Sequence, residues 1–331
     1  MNDAPRGSDF AGPADLKDPF DPKNPVWAAS RHALVSGTVF ALIGAALYGA
    51  NIPAARMASQ AGMPGAELIF YRAILLVPIL AGIALVLRQS LALAPSERGN
   101  ILRLAVSAGL TATFYLSALD HLAVPLTVVI FYIFPLFVML IANRLEGRQL
   151  SRRQVAIFAV AFLGLAVAVG PSFDQLSLRG VAYALIAACA CAMLFVVAGR
   201  VQGSAIRTMF WTQVGQGPIA LAFVLLNGGP VPLEVFAKAP VAIGIAMGAY
   251  AIAFVFQLLA SQRISPSRTG LLFLFEPVTA IAIAGLFLGE TLQPLQIFGV
   301  ALILCALAAE IWLDAPHSAP MVASDDPPAT R

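Results

Sequence analysis

Charge is what this sequence has least of. Asp, Glu, Lys and Arg make up 11% of its 331 residues, where a soluble domain carries roughly a quarter. Histidine is nearly as scarce. His32, His121 and His317 are the only three, none falls in the middle of a long apolar run, and no HExxH exists. The three cysteines, Cys189, Cys191 and Cys305, sit in apolar stretches without a CxxC, so they read as small packing residues and not as a disulfide or metal framework. These absences remove the parts an intramembrane enzyme would need. No catalytic residue, metal or cofactor is expected. The net charge of +3 is too small to indicate nucleic acid as a partner.

What is present is apolar surface. Hydrophobic residues make up 60% of the chain, and mean hydropathy is +0.85. So much cannot be hidden in one soluble core, and lipid is the place for it. A helix needs about 20 residues to cross the hydrocarbon. Ten segments meet that length: 33–55, 66–87, 101–119, 124–143, 154–170, 179–199, 207–227, 239–261, 268–288 and 294–312. The expectation is an all-α polytopic membrane protein with short connections. Residues 1–32 alternate Pro and Asp without an apolar core, which suits a disordered tail and not a signal peptide; 314–331 read the same way.

Positive charge sets the orientation. With the N-terminus in the cytoplasm, the external loops hold only Arg56, Arg179 and Lys238. Arg72 lies within a span, and the remaining Lys and Arg, of 20 in all, are cytoplasmic. Both termini are therefore expected inside a bacterial inner membrane.

The chain also repeats. A shift of 142 residues lays 118–166 on 260–308 without a gap, bringing Thr127 onto Thr269, Phe131 onto Phe273, Pro135 onto Pro277 and Gln154 onto Gln296. An odd number of helices per half forces the second half to enter from the other side, an inverted repeat. The loops agree. Arg144, Arg148, Arg152 and Arg153 crowd the loop after span four, whereas the matching loop after span nine has only Glu290.

Several segments then resemble a known family. ALYGANIPAAR (46–56), ELIFYRAIL (67–75), SALDHLAVPLTVVIFYIFPLF (117–137), GLLFLFEPVTAIAIAGLFLGE (270–290) and LQIFGVALI (295–303) are similar to the drug/metabolite transporter superfamily of EamA type. The resemblance implies two EamA repeats, 33–170 and 171–313, with spans one to four and six to nine around a central cavity and spans five and ten as supports. It implies a small-molecule substrate, amino acids and drugs among them. Two departures stand out: Tyr48 where many members carry Trp, and Phe134 where the second half has Glu276.

Two ionisable residues lie deep in spans, where Arg or Asp costs about 2.5–3.5 kcal/mol on insertion scales. Glu276 is too short to reach the interface and reads as a cavity group for a cation, a substrate ammonium or a proton, or else as a bonded structural carboxylate. Arg72 can hold an anionic substrate group, or pair with Glu67, Asp120 or Glu276. Helical spacing groups Tyr48 with Asn51; Ser107, Thr111 and Tyr115; Tyr250, Phe254 and Gln257; Thr212, Gln213 and Gln216 beside Trp211; and Phe273 with Glu276. With Phe131, these are the candidates to line a pathway, although each group alone is more often an interhelical hydrogen bond. Pro135 and Pro277 are candidate hinges, because proline frees the carbonyl four residues earlier. Ala41, Ala45 and Gly49, and the Gly285–Gly289 pair, read as helix packing. The composite expectation is an alternating-access transporter working as an exporter, with protons among its candidate partners and no obligate protein partner. An importer, a channel and an accessory or lipid flippase component are the rivals.

Overall fold

The computed structural model describes residues 25–119, 121–147, 149–170, 176–201, 203–226, 228–287 and 291–313. Asp120, Arg148, Gly289, Glu290 and most of both expected tails lie outside the described residues. All of the described regular structure is helical: α1 Pro25–Gln60, α2 Gly65–Val86, α3 Pro95–Leu119, α4 Val124–Phe131, α5 Phe134–Glu146, α6 Arg152–Val169, α7 Leu178–Ala198, α8 Ala205–Leu226, α9 Val235–Lys238, α10 Pro240–Ser261, α11 Pro266–Leu272, α12 Phe275–Phe287 and α13 Pro294–Leu313. With α4 and α5 joined, and α11 and α12 joined, ten helical units are long and apolar enough to cross a membrane. The first helix starts at Pro25, inside the segment expected to be tail.

Local chemistry fixes several ends. The hydroxyls of Ser151, Ser177 and Ser265 accept the N–H groups of Gln154, Gly180 and Arg268, capping α6, α7 and α11. Gly147 and Gly170 end α5 and α6 at φ 66° and 61°, a conformation a side chain would resist.

The bundle is an interleaving of the two halves. Helix α1 packs on α10 and α12, and α7 packs on α3 and α5, which is the same arrangement with the halves exchanged. Helices α6 and α13 pack on each other. There Gly164 and Gly299 meet so closely that a Cβ on Gly299 would fall 2.5 Å from the Gly164 carbonyl oxygen. The outer surface is bare aliphatic and aromatic side chain, Leu85, Val86, Leu178, Leu226, Leu286 and Phe287 among them. That suits lipid and nothing else.

Both spans that carry the matching prolines are broken, not merely bent. In the first half the helix stops after Phe131 and restarts at Phe134. In the second it stops after Leu272 and restarts at Phe275. Across each break the backbone tightens into three-residue turns: Ile133 N–H to the Ile130 carbonyl, Leu136 to Ile133, Leu274 to Leu271, and Glu276 to Phe273. Proline supplies the cause, lacking an N–H and colliding with the carbonyl one turn earlier.

Candidate functional site

The breaks turn side chains inward on a cavity of about 140 Å³ between the halves. Tyr48 of α1, Tyr250 and Gln257 of α10, and Phe273 and Glu276 at the second break form one wall. Ala108, Thr111 and Ala112 of α3, Phe131 and Phe134 at the first break, and Cys191, Leu194 and Phe195 of α7 form the other.

The rings run as a chain around this space. Centroids are 4.8 Å apart for Tyr115–Phe131 and 5.5 Å for Phe131–Phe134. They are 5.2 Å apart for Phe134–Phe195, 4.8 Å for Phe195–Phe273, 6.0 Å for Tyr48–Phe273 and 5.6 Å for Tyr48–Tyr250. The Tyr48 hydroxyl donates to Gln257 Oε1 at 2.9 Å. Glu276 has no ion-pair partner among the described residues. Helix α1 reaches Glu276 because residue 49 is glycine. A Cβ there would lie 2.6 Å from the Glu276 carbonyl oxygen. The small residues Ala41 and Ala45, both fully buried, continue that contact.

Of the sequence candidates, Tyr48, Thr111, Phe131, Tyr250, Gln257, Phe273 and Glu276 line the cavity. The others lie beside it or away from it. Tyr115 stacks behind Phe131. The Ser107 carbonyl accepts the Thr111 hydroxyl at 2.7 Å. Asn51 Oδ1 is buried without a hydrogen-bond partner. Gln213 and Gln216 are buried in α8, and their amide atoms likewise lack partners among the described residues. Arg72 neither lines the cavity nor pairs with Glu67 or Glu276; Asp120 is not described. Its guanidinium carbon lies 3.2 Å over the centre of the Tyr250 ring, a cation–π contact. Trp211 is at the end of α8, where its Nε1 donates to the Leu91 carbonyl at 2.7 Å.

Tyr132, Cys191, Leu194 and Phe195 escaped the sequence reading. Tyr132 sits in the first break, buried, with a hydroxyl that has no strict hydrogen-bond partner but lies near the Glu276 carboxylate. Cys191 had a signal. The shared Ala-Leu-Ile of 41–43 and 184–186 lays Tyr48 on Cys191.

A shift of 140 residues exposes paired features in the second helix of each half. Phe70-Tyr71 matches Phe210-Trp211, and Pro78 matches Pro218. Tyr71 donates its hydroxyl to the Val231 carbonyl at 2.7 Å, as Trp211 does to Leu91. The loops holding Leu91 and Val231 emerge at opposite ends of the bundle. Each half thus ties its second helix to the following loop of the other half. The seams between halves differ. Helix α3 lies tight on α8, with Gly109 under Ile219 and Gly215 under Ala105. The equivalent pair, α10 and α2, meets at few points and is bridged by Tyr250 and Arg72.

Comparison with known proteins gives the same picture. The model of the EamA-like transporter family matches residues 35–170 and again 178–309. An uncharacterized transporter of Archaeoglobus fulgidus is 26% identical over 210 residues, 63% of this chain and 74% of that one. The uncharacterized transporter YcbK of Bacillus subtilis is 25% identical over 283 residues, 80% and 89% of the two chains. The threonine/homoserine exporter RhtA of Escherichia coli is 30% identical over 164 residues, 47% of this chain and 54% of that one. A solved crystal structure superposes with a TM-score of 0.72 over 84% of this chain and 97% of that one at 17% identity, which shows a shared fold. With two family repeats filling a ten-helix membrane bundle, the chain belongs to the EamA-like transporter family and is a transporter, not an enzyme.

Proposed function

We propose that this transporter exports a small metabolite, an amino acid or a related compound, across a bacterial inner membrane by alternating access, with both termini in the cytoplasm. The observation that carries the proposal is the cavity itself: polar on one side, set midway along two broken helices, and shared between inverted halves. The exporter direction draws on the similarity to the threonine/homoserine exporter of Escherichia coli.

Rocking of one half against the other opens the two seams in turn. The α3–α8 seam is closed by side chains seated on glycines, Ile219 on Gly109 and Ala105 on Gly215. The α2–α10 seam closes through the Arg72–Tyr250 stack, which separates without unpacking two helices. Pro135 and Pro277 give the broken spans freedom to bend, because each withholds the N–H that would bond the carbonyl four residues earlier, and at the second break the Phe273 carbonyl is left with a three-residue turn bond from Glu276. Glu276 takes up a proton or the substrate's ammonium group in exchange, since a lone carboxylate in a low-dielectric cavity favours whichever cation reaches it.

Flux in proteoliposomes tests this. A radiolabelled amino acid, or the amine related to it, should show saturable counterflow above protein-free vesicles, and Glu276→Gln should lower it by at least tenfold. Saturation separates a carrier from a channel. Linear flux with concentration, or a wild-type rate in Glu276→Gln, overturns the mechanism.

A further inference from the structure

Resting on the transport reading above, we infer that the cavity selects a protonated amine with a benzene-sized apolar body and discriminates against the zwitterion that carries the same body.

The first premise is charge. Glu276 is the one ionisable carboxylate on the cavity wall, and no Lys or Arg stands with it there. A carboxylate held in a membrane without a cation is a costly arrangement, and it is relieved by a ligand that brings one. The second premise is the wall. Tyr48, Phe131, Phe134, Phe195, Tyr250 and Phe273 line the same cavity as Glu276, and ring faces attract a desolvated ammonium as well as an apolar body. The third is size. About 140 Å³ is close to the roughly 150 Å³ of an engineered apolar cavity that accepts benzene.

A zwitterion would need a second, positive subsite for its carboxylate. The nearest cation, Arg72, does not line the cavity, and its guanidinium is engaged with the Tyr250 ring. The neutral donors are limited as well. The Tyr48 hydroxyl already donates to Gln257 Oε1, and that of Thr111 to the Ser107 carbonyl. The Tyr250 hydroxyl and the Gln257 amide nitrogen are what a substrate carboxylate would find on the wall, with the Tyr132 hydroxyl facing Glu276, and neutral donors beside an existing carboxylate do not offset burial of a second anion.

The test compares three ligands with one body: phenethylamine, phenylalanine and 3-phenylpropionate. Binding to the purified full-length protein is measured by calorimetry, and flux in proteoliposomes against protein-free vesicles. The inference expects phenethylamine to bind at least tenfold more tightly than phenylalanine, with no heat from 3-phenylpropionate. It also expects Glu276→Gln to weaken the amine at least tenfold. The wild-type ranking decides the matter even where the variant fails to fold. Phenylalanine binding as well as the amine, or no binding by either, overturns the inference. Saturable flux of phenylalanine with the amine ignored overturns it too, while leaving the transporter in place. Amine binding without saturable flux upholds the amine site and overturns the transport reading.

Discussion

The two halves share a frame and differ in what they hang on it. Where the second half sets Glu276, Tyr250 and Gln257, the first sets Phe134, Ala108 and Tyr115 at the matching positions. Between α1 and α7 the bias reverses, with Tyr48 on α1 opposite Cys191 on α7. Because α1 packs on α10 and α12, the polar residues of both halves still gather on one wall. The inverted repeat therefore builds a matching pair of broken helices around an asymmetric cavity. On the alternating-access reading proposed above, motion draws on the symmetry and selectivity on its absence. Making the halves alike should cost the most. Glu276→Phe, which copies Phe134, is expected to abolish transport. Glu276→Gln should weaken substrate binding about 10- to 100-fold, the value of a hydrogen bond to a charged group. Both are read by binding and counterflow, and wild-type binding in Glu276→Phe would break the comparison.

The crossing that delivers α1 to Glu276 is the next difference to remove. Gly49 matches Ala192, which is fully buried against its own neighbours. The first helix cannot accept even that methyl, because the Glu276 carbonyl would be 2.6 Å away. Gly49→Ala should lower stability by about 1–3 kcal/mol, the range for overpacking, and Gly49→Val by more. Ala192→Gly should cost about 1 kcal/mol through helix propensity. Thermal unfolding in detergent ranks them. Equal losses at 49 and 192 would mean that the two crossings are equally tight.

The paired ties at the two ends should act in opposite directions. Trp211→Phe removes the hydrogen bond to Leu91, and Tyr71→Phe the one to Val231. Each is worth about 1 kcal/mol, a shift of roughly fivefold in the balance between open and closed. Cys191 reports that balance, since it lines the cavity. In a Cys189→Ala, Cys305→Ala background, an impermeant maleimide should label Cys191 faster from the Leu91 side in Trp211→Phe. It should label faster from the Val231 side in Tyr71→Phe. Changes of the same sign in both variants would show that the ties are not equivalent.

Much of this was legible before any coordinates. Ten apolar runs, the offset that pairs Pro135 with Pro277, and the solitary Glu276 are properties of composition and spacing, so the fold class and the acidic side of the cavity could be read directly. The remainder depends on direction. Gln213 and Trp211 are near neighbours in α8, but Gln213 is buried in the bundle away from the cavity lining and the Trp211 ring nitrogen reaches a loop carbonyl at Leu91. Helical periodicity says which residues share a face without saying what the face meets. Arg72 was readable as buried and costly. Its partner was not, because a ring is invisible to a search for opposite charges. Tyr132 was missed because it sits in the break itself, where helical spacing stops applying.

The smallest expected effect separates the two ends by charge. Matching Tyr71 with Trp211 lays Glu67 on Arg207, so equivalent sites carry opposite sign. Arg207 Nη2 meets Glu97 Oε1 at 2.6 Å, with side chains 19% and 28% exposed, and its Nη1 donates to the Ala92 carbonyl at 3.3 Å. Arg207 thus holds the first turn of α3 through Glu97 and the preceding loop through Ala92, beside the Trp211–Leu91 tie. At that exposure the ion pair contributes about 0.2–1 kcal/mol, which is less than the tie. Glu97→Gln should therefore raise Cys191 labelling from the Leu91 side by less than Trp211→Phe does. Salt distinguishes the two contributions, because an exposed pair is screened and a neutral hydrogen bond is not. Raising ionic strength should move the wild type toward Glu97→Gln and leave the size of the Trp211→Phe effect unchanged. A wild type indifferent to salt would assign that end's closure to Trp211 alone.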